Sequence, residues 1–297
     1  GPVHLAAYLL ALGGADLDLP EWARVAELVG LEAGGYVDDP DSEAWEVARD
    51  LLSALPVSTR RARDGWAPVL LDPAVAEGQA VADYGCGPGY LSVELAKRVG
   101  AGGHVHAFDV NAEFVRKTQD RLAAEGLADR ATVTHLQADV LPLEADSLDR
   151  VIVKNVMVYV DDPLSSFREF RRVVKPGGKV HAIDSDFYMA AFDPIDVHDW
   201  RHVLDAGIHA FRTPTIGRKM YGIALEAGFT DVAVEVIAAP DFSGRMLSFI
   251  KNTAGYAREG GKHDEAIVAR VVDVASKAVE DGTFFALNPQ FLVTATV

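Results

Sequence analysis

From Gly78 onwards, the hydrophobic pattern alternates between short apolar runs and longer segments in which apolar residues recur every three to four positions. The short runs favour β-strands, and the periodic segments favour amphipathic helices. Strands that alternate with helices in this way are typical of a parallel sheet packed between helices. After a first strand that begins at Val81, we expect further strands at 104–108, 131–136, 149–153, 179–183, 231–237 and 291–296.

The first 65 residues predict helices that stand apart from this sheet. Apolar residues recur with helical spacing around Trp22 and again around Trp45, and a turn at 34–40 separates the two stretches. We therefore divide the chain into a helical N-terminal segment, 1–65, and a sheet domain, 66–297. A helical insertion at about 242–281, with two helical stretches, precedes the last strand.

A glycine-rich loop follows the first strand. The segment Asp83-Tyr84-Gly85-Cys86-Gly87-Pro88-Gly89 leads directly into a helical pattern. A strand, a glycine turn and a helix in this order form the place where open α/β sheets bind nucleotide-like ligands. The dinucleotide fingerprint needs a small residue where this chain has Tyr90, and no P-loop lysine follows. The loop therefore disfavours NAD and nucleoside triphosphates.

The acidic-x-G-x-G-x-G pattern resembles the class I S-adenosylmethionine-dependent methyltransferases, in particular their ubiquinone-biosynthesis-like and natural-product branch. Further landmarks follow in that family's order, namely acidic residues after the second and third strands and the turn Lys175-Pro176-Gly177-Gly178 before the fifth. The resemblance implies an α/β fold with a doubly wound, Rossmann-like, seven-stranded sheet whose last strand is antiparallel. It also implies that the N-terminal helices form a lid over the cofactor.

The resemblance further implies a site for S-adenosyl-L-methionine across the ends of the first strands. Asp109 stands twenty residues after Gly89, where a carboxylate can accept hydrogen bonds from ribose hydroxyls, and a helix-capping role is the alternative. Asp139 is the expected partner of the adenine amino group. The expected cofactor-binding residues are Tyr36, Asp83, Gly85, Gly87, Asp109, Val110, Asp139, Val140 and Asn155.

Methyl transfer from a sulfonium requires alignment of donor and acceptor, exclusion of water and, for some acceptors, removal of a proton. Tyr159 and Asp184 follow strand ends and are the candidate catalytic residues. Tyrosine, with an ordinary pKa of about 10, is a poor base at neutral pH but a good hydrogen-bond donor. We expect Asp184 to take the proton and Tyr159 to orient the acceptor; a loop-capping role for Asp184 is the alternative.

Tyr188 and His202 are the candidate residues for binding the acceptor. His202 shares one face of a helix expected at 195–211 with two further histidines, opposite an apolar stripe. This face contacts either water or an acceptor cavity. Although His198 and His202 have i, i+4 spacing, no cysteine or H-E-x-x-H context supports a metal site, and we expect no metal.

Composition narrows the range of partners. The formal net charge is −16 with no basic stripe, which disfavours binding to nucleic acid. The single cysteine, Cys86, excludes an internal disulfide framework and fits a reducing cytoplasm. The apolar run at 3–12 is too short to span a membrane. We expect a cytoplasmic monomer or homodimer that binds a small-molecule substrate and neither nucleic acid nor membrane.

The expected reaction is transfer of a methyl group from S-adenosylmethionine to a small-molecule acceptor in secondary metabolism, at an oxygen, nitrogen or carbon atom. The same fold with the same cofactor also permits cyclisation or decarboxylation without methyl transfer. A more distant alternative is an NAD-dependent oxidoreductase, which Tyr90 disfavours. A non-catalytic partner subunit is the last alternative.

Overall fold

The computed structural model describes residues 75–137 and 140–297, and all of them belong to one unit that begins at Val75. Nine strands occur among these residues. They are β1 (Ala80–Tyr84), β2 (His104–Asp109), β3 (Ala131–His135), β4 (Leu148–Lys154), β5 (Val174–Ser185), β6 (Ala191–Asp193), β7 (Thr230–Ile237), β8 (Phe285–Leu287) and β9 (Gln290–Thr296).

Seven α-helices occur in the same part of the chain. They are α1 (Tyr90–Val99), α2 (Ala112–Ala124), α3 (Pro163–Val173), α4 (Val197–Gly207), α5 (Ile216–Glu226), α6 (Leu247–Gly260) and α7 (Glu265–Glu280). Several begin at side-chain caps. Asn111 accepts the backbone N–H groups of Glu113 and Phe114 at the start of α2, and Asp162 accepts that of Ser165 at the start of α3. These caps explain why the helices start where they do.

The main sheet has seven strands in the order β3-β2-β1-β4-β5-β9-β7. The first five strands are parallel, and β9 is antiparallel to both of its neighbours, β5 and β7. Because the central strands carry side chains such as Val81, Ala82 and Val151 that are wholly buried, they are apolar on both faces. The predicted doubly wound sheet with an antiparallel last strand is confirmed.

The carboxyl ends of the parallel strands form one edge of this sheet, which we call the carboxyl edge. It consists of the last residues of β1 to β5 and the residues that directly follow them. Since β9 runs in the opposite direction, its first residue, Gln290, lies at this edge beside Ser185. The carboxyl edge is where ligands bind in open α/β sheets.

One turn differs from the prediction. The segment 175–178 was expected to separate α3 from a fifth strand at 179, whereas β5 already starts at Val174. Val174 pairs with Leu148 and Lys179 pairs with Arg150, so the additional residues on β5 form a bulge between two paired positions. The Lys-Pro-Gly-Gly segment therefore bends the strand without ending it.

A second, two-stranded sheet was not predicted. Strands β6 and β8 are antiparallel partners of three residues each, which is too short for a recognisable period. Together with α4, α6 and α7, which pack against one another, they form what we call the cap. The two helical stretches predicted within 242–281 are confirmed as α6 and α7. The predicted boundary between 65 and 66 and the N-terminal lid fall outside the described residues and stay predictions.

Two negative findings apply to residues 75–137 and 140–297. No helix in this part of the chain combines the length and the apolar character that a membrane crossing requires. The same residues contain no group of three or more histidine, cysteine, aspartate or glutamate side chains that could hold a metal ion.

Two glycines of α5 provide a test of how closely this helix packs on the sheet. A Cβ at Gly217 would lie 2.6 Å from Phe291 and 3.0 Å from Ser185, whereas one at Gly222 would meet no described atom within 4 Å. We expect Gly217→Ala to lower the free energy of unfolding by about 1–3 kcal/mol through overpacking. Gly222→Ala should raise it by about 0.5–1 kcal/mol, because alanine favours the helix. Urea unfolding measures both, and equal effects of the two substitutions would contradict the close packing.

Candidate functional site

The glycine loop between β1 and α1 lies at the carboxyl edge and is tied back to β2. The backbone N–H groups of Gly85 and Cys86 both donate to the carbonyl oxygen of Phe108 at 2.8 Å. Gly85, Gly87 and Gly89 all have positive φ angles, of 74°, 53° and 84°. Only glycine adopts such angles readily, so the predicted glycine pattern follows from the path of the backbone.

The first two glycines of the loop have different surroundings. A Cβ on Gly85 would lie 2.3 Å from a methyl group of Val156, so the residue after β4 approaches the loop too closely for any side chain. A Cβ on Gly87 would meet no described atom within 4 Å. The backbone of Gly87 is therefore open to a ligand above the carboxyl edge.

Asp109, the last residue of β2, joins the glycine loop to the start of the next helix. Its Oδ2 accepts the N–H of Gly87 and its Oδ1 accepts the N–H of Asn111, both at 2.8 Å. The alternative helix-capping role falls to Asn111, whose own side chain caps α2. Because a carboxylate oxygen can accept more than one hydrogen bond, Asp109 keeps acceptor capacity for ligand hydroxyls. Its ribose-binding role stays a prediction.

Two apolar side chains beside Asp109 are exposed. Val110, directly after β2, is 73% exposed, and Val140, after β3, is 65% exposed. Since β2 and β3 are neighbours in the sheet, both valines lie at the same end of the carboxyl edge. Exposed apolar side chains at a strand end are suited to hold a flat ring between them. Asp139 and Tyr36 fall outside the described residues, and their cofactor-binding roles stay predictions.

Asp83 lies beneath the glycine loop and is 1% exposed. It accepts a hydrogen bond of 2.6 Å from the hydroxyl of Ser92 and thereby ties β1 to α1. Burial raises its pKa from 3.8 to about 7; the hydrogen bond from Ser92 opposes this shift, and the charge of Asp109 adds to it. Asp83 therefore supports the loop from beneath, and its cofactor-binding role stays a prediction.

Cys86 has the properties of a packing residue. Its side chain is buried, and its sulfur lies 3.6 Å from the hydroxyl oxygen of Thr118. Burial, with the nearby charge of Asp83, raises the pKa of the thiol to about 12. A thiol with such a pKa is not a nucleophile at neutral pH.

Asn155 and Tyr159 follow β4 at the carboxyl edge. Asn155 is exposed with a φ of 54°, and its side-chain oxygen accepts a hydrogen bond of 3.0 Å from Gln290. The ring of Tyr159 is 51% exposed and lies 5.8 Å from that of Phe211. Partial burial raises the pKa of Tyr159, and the nearby Tyr256 and Asp184 add to this shift. Tyr159 is thus protonated at neutral pH and can donate a hydrogen bond.

Asp184, near the end of β5, is 1% exposed. Its carboxylate accepts the backbone N–H groups of Val158, at 3.1 Å, and of Ser185, at 2.8 Å. Burial raises its pKa to about 7, and the backbone donors oppose this shift. These contacts are those of the loop-capping alternative, since they hold the segment that carries Tyr159. A role as the base stays a prediction.

The predicted acceptor-binding residues both have polar partners in or beside the cap. The hydroxyl of Tyr188 donates to Asp205 of α4 at 2.9 Å, and the guanidinium of Arg201 lies 4.5 Å from the centre of its ring. Nε2 of His202 accepts the backbone N–H of Asp264 at 3.0 Å and thereby fastens α4 to the start of α7. Binding of an acceptor by either residue stays a prediction.

The central part of the chain, residues 81–178, matches the family described as "Methyltransferase domain". This segment is similar to methyltransferase domains. It holds the glycine loop, the ends of the first four strands and the bulge of β5, so the landmarks on which the resemblance rested all fall within or directly beside it.

The chain is also similar to two relatives over part of its length. It is 34% identical over 183 residues to an uncharacterised 37.1 kDa protein of transposon TN4556 from Streptomyces fradiae. The aligned region covers 58% of this chain and 50% of that protein. It is 31% identical over 149 residues to the ubiquinone/menaquinone biosynthesis C-methyltransferase UbiE of Methylococcus capsulatus, which covers 50% of this chain and 58% of the relative. The chain thus spans about half the length of these relatives.

Solved structures show the same fold. A putative methyltransferase from Bacillus halodurans has a TM-score of 0.54 and 16% sequence identity, and the match covers 77% of this chain and 96% of that one. At this identity the likeness supports the fold of the methyltransferase domain alone.

Sequence reasoning missed Gln290. The residue lies more than a hundred positions after the methyltransferase domain and belongs to no motif. The neighbouring sequence gives no indication of a role for its side chain. It reaches the carboxyl edge only because β9 is inserted antiparallel between β5 and β7. The predicted antiparallel direction of the last strand was the one signal that could have placed it there.

The buried carboxylate of Asp83 predicts a pH dependence of stability. Because its pKa is about 7 in the folded protein and near 4 when exposed, the folded state retains a proton that the unfolded state releases. Its contribution is therefore fully present below pH 4 and is lost as the pH rises towards 7, with a slope of up to about 1.4 kcal/mol per pH unit. Asp83→Asn should remove this slope from urea-unfolding free energies measured between pH 4.5 and 7.

The exposed Asp120 of α2 provides the matched control, since Asp120→Asn changes the same chemical group at the surface. We expect the control to leave the slope unchanged. A difference between Asp83→Asn and the unsubstituted protein that is constant over the whole pH range would contradict the raised pKa.

Proposed function

We propose that this chain binds S-adenosyl-L-methionine across the ends of β1, β2 and β3 and transfers its methyl group to a small-molecule acceptor of secondary metabolism. The observation that carries this proposal is the contact between the Gly87 N–H and Asp109. This hydrogen bond brings the open backbone of Gly87 next to the carboxylate of Asp109, which can bind hydroxyl groups. The exposed Val110 directly follows Asp109, so all three belong to one crevice. The methyltransferase domain of residues 81–178 supports the proposal.

The start of α1 favours a cofactor without phosphate. Tyr90, the first residue of α1, is 65% exposed, and the guanidinium of Arg121 lies 3.7 Å from the centre of its ring. Arg121 also donates to the carbonyl oxygen of Pro88 at 2.9 Å. A bulky side chain thus stands at the position in the chain where dinucleotide-binding proteins keep a small residue for close helix packing.

The charges at the crevice suit a cation. The bound cofactor supplies a methyl group on a positively charged sulfur atom, next to an amino-acid group. Asp83 and Asp109 place two carboxylates under and beside the glycine loop, close enough for the charge of Asp109 to raise the pKa of Asp83. A cationic ligand stabilises both carboxylates, so the residues present fit this cofactor.

On the acceptor side of the site, Tyr159 is a hydrogen-bond donor, and Asp184 stabilises the segment that precedes it. Tyr159, protonated and half exposed, can donate a hydrogen bond to the acceptor and orient it. Asp184 holds the backbone of the segment that precedes Tyr159. Because Asp184 is 1% exposed, the site favours an acceptor atom that is already nucleophilic, such as an activated carbon or a neutral nitrogen. The name of the UbiE relative, a C-methyltransferase, agrees with carbon.

The partner and compartment belong to the same proposal. The acidic surface and the buried Cys86 support a small molecule, with neither nucleic acid nor membrane, as the partner, and a cytoplasmic location as a monomer or homodimer.

Incubation with methyl-labelled S-adenosylmethionine and fractionated metabolite extracts tests the proposed function. We expect S-adenosylhomocysteine to form together with a product that carries the labelled methyl group in place of one hydrogen of the acceptor. Mass spectrometry then identifies both the acceptor and the methylated atom. Calorimetric binding of NADH without binding of S-adenosylmethionine would overturn the proposal.

Asp109→Ala should weaken the binding of S-adenosylhomocysteine by about 1.5–3 kcal/mol, because ligand hydroxyls lose a charged acceptor. Asp120→Ala removes an exposed aspartate from α2 and is the control. Titration calorimetry measures both, at a temperature at which melting curves show each variant folded. An unchanged dissociation constant for Asp109→Ala would remove the ribose assignment.

A further inference from the structure

A pair of amide side chains at the carboxyl edge has no role in the site described so far. Nε2 of Gln290 donates a hydrogen bond of 3.0 Å to Oδ1 of Asn155. The two residues are 135 positions apart in the chain and belong to strands that are not neighbours, since β5 lies between β4 and β9. The contact therefore passes across the end of β5, above Ser185, which pairs with Gln290.

The backbone holds Asn155 in a restricted position. Its φ is 54°, in the left-handed region that few residues other than glycine and asparagine adopt, and its N–H donates to the carbonyl oxygen of Ile183 at 2.8 Å. The next residue, Val156, packs against Gly85 of the glycine loop. Asn155 thus stands between the glycine loop on one side and Gln290 on the other.

The hydrogen bond determines which way the Asn155 amide faces. An amide has an acceptor oxygen and an NH₂ group with two donors. With its oxygen directed to Gln290, Asn155 presents its two N–H donors to the exposed carboxyl edge. Rotation of the amide by half a turn would place two NH₂ groups against each other and lose the contact. An NH₂ group can donate a hydrogen bond to an oxyanion such as a carboxylate, whose oxygens only accept.

We propose that Gln290 is a positioning residue, which orients the Asn155 amide so that its N–H groups hold the carboxylate at the amino-acid end of the cofactor. The inference rests on the proposed function, because it assigns a residue of the last strand to the same ligand. It explains why the asparagine has a left-handed backbone at the end of β4. It also gives β9 a direct part in the site.

Calorimetric titration with two probes tests the role of the pair. S-Adenosylhomocysteine carries the amino-acid end, and 5′-methylthioadenosine has the same nucleoside without it. We expect Asn155→Ala to weaken S-adenosylhomocysteine about 10- to 100-fold, as for hydrogen bonds to a charged group. Gln290→Met, which keeps the volume of the side chain, should weaken it about 5- to 10-fold, because the Asn155 amide is then free to turn. Neither substitution should change the dissociation constant for 5′-methylthioadenosine.

The double variant shows whether Gln290 acts through Asn155. If it does, Asn155→Ala combined with Gln290→Met binds S-adenosylhomocysteine no more weakly than Asn155→Ala alone. Gln290→Glu should weaken binding more than Gln290→Met, since a carboxylate draws the Asn155 N–H groups to itself. Gln119→Ala, at an exposed position of α2, is the control and should match the unsubstituted protein.

Several outcomes would overturn the inference. Equal losses for both probes would mean that Gln290 only supports the fold, and additive losses would mean that it does not act through Asn155. Unchanged binding of S-adenosylhomocysteine by Gln290→Met would exclude any role. Each of these leaves the proposed function intact, provided that the unsubstituted protein binds both probes. If the unsubstituted protein binds neither, the proposed function and this inference both fail.

Discussion

The carboxylate of Asp109 is the interaction on which the crevice depends. One of its oxygens holds the middle of the glycine loop through Gly87, and the other holds the backbone of Asn111, where α2 begins. A single side chain at the end of β2 therefore fixes both walls of the crevice, one from each neighbouring connection. Charged acceptors make stronger hydrogen bonds to backbone N–H groups than neutral ones do, which suits a residue with two such tasks.

Buried acids recur along the same edge of the sheet. Asp83 binds the hydroxyl of Ser92, Asp184 binds two backbone N–H groups, and Asp186 forms an ion pair with Arg218 of α5. Each carboxylate organises a loop or a helix start after a parallel strand. The cost of burying these acids is visible in the raised pKa values of Asp83 and Asp184.

The sequence predicted the fold well because its signals are local. The positive φ angles of Gly85 and Gly87, the apolar strands and the acid at Asp109 each leave a mark within a few residues. The order of these marks, together with the family resemblance, was sufficient for the whole sheet, including the antiparallel β9. Strands β6 and β8 could not be foreseen, because three residues carry no period and their pairing depends on contacts across almost a hundred positions.

The candidate site residues also differ in whether the sequence could place them. Val110 and Val140 could be placed from the ends of their strands, and the structure finds both side chains exposed. The partners of Asp184 and His202 could not be read from the chain, because the backbone groups that they bind belong to loops whose path depends on packing. Gln290 shows the same limit, since only the insertion of β9 brings it beside Asn155.

The position of β9 also has a consequence for the order of assembly. Among the described strands, β7 pairs in the main sheet only with β9, which follows it by more than fifty residues, so β7 cannot join these strands until β9 has been synthesised. During synthesis, β1 to β5 can associate before β9 is made. Until then β7 lacks its strand partner, and the cap helices α6 and α7 lie between β7 and the missing strand in the chain. Long-range pairing of this kind is slow and leaves apolar edges exposed meanwhile. The sheet of β1 to β5 therefore keeps an open edge at β5 until the last residues of β9 have been synthesised.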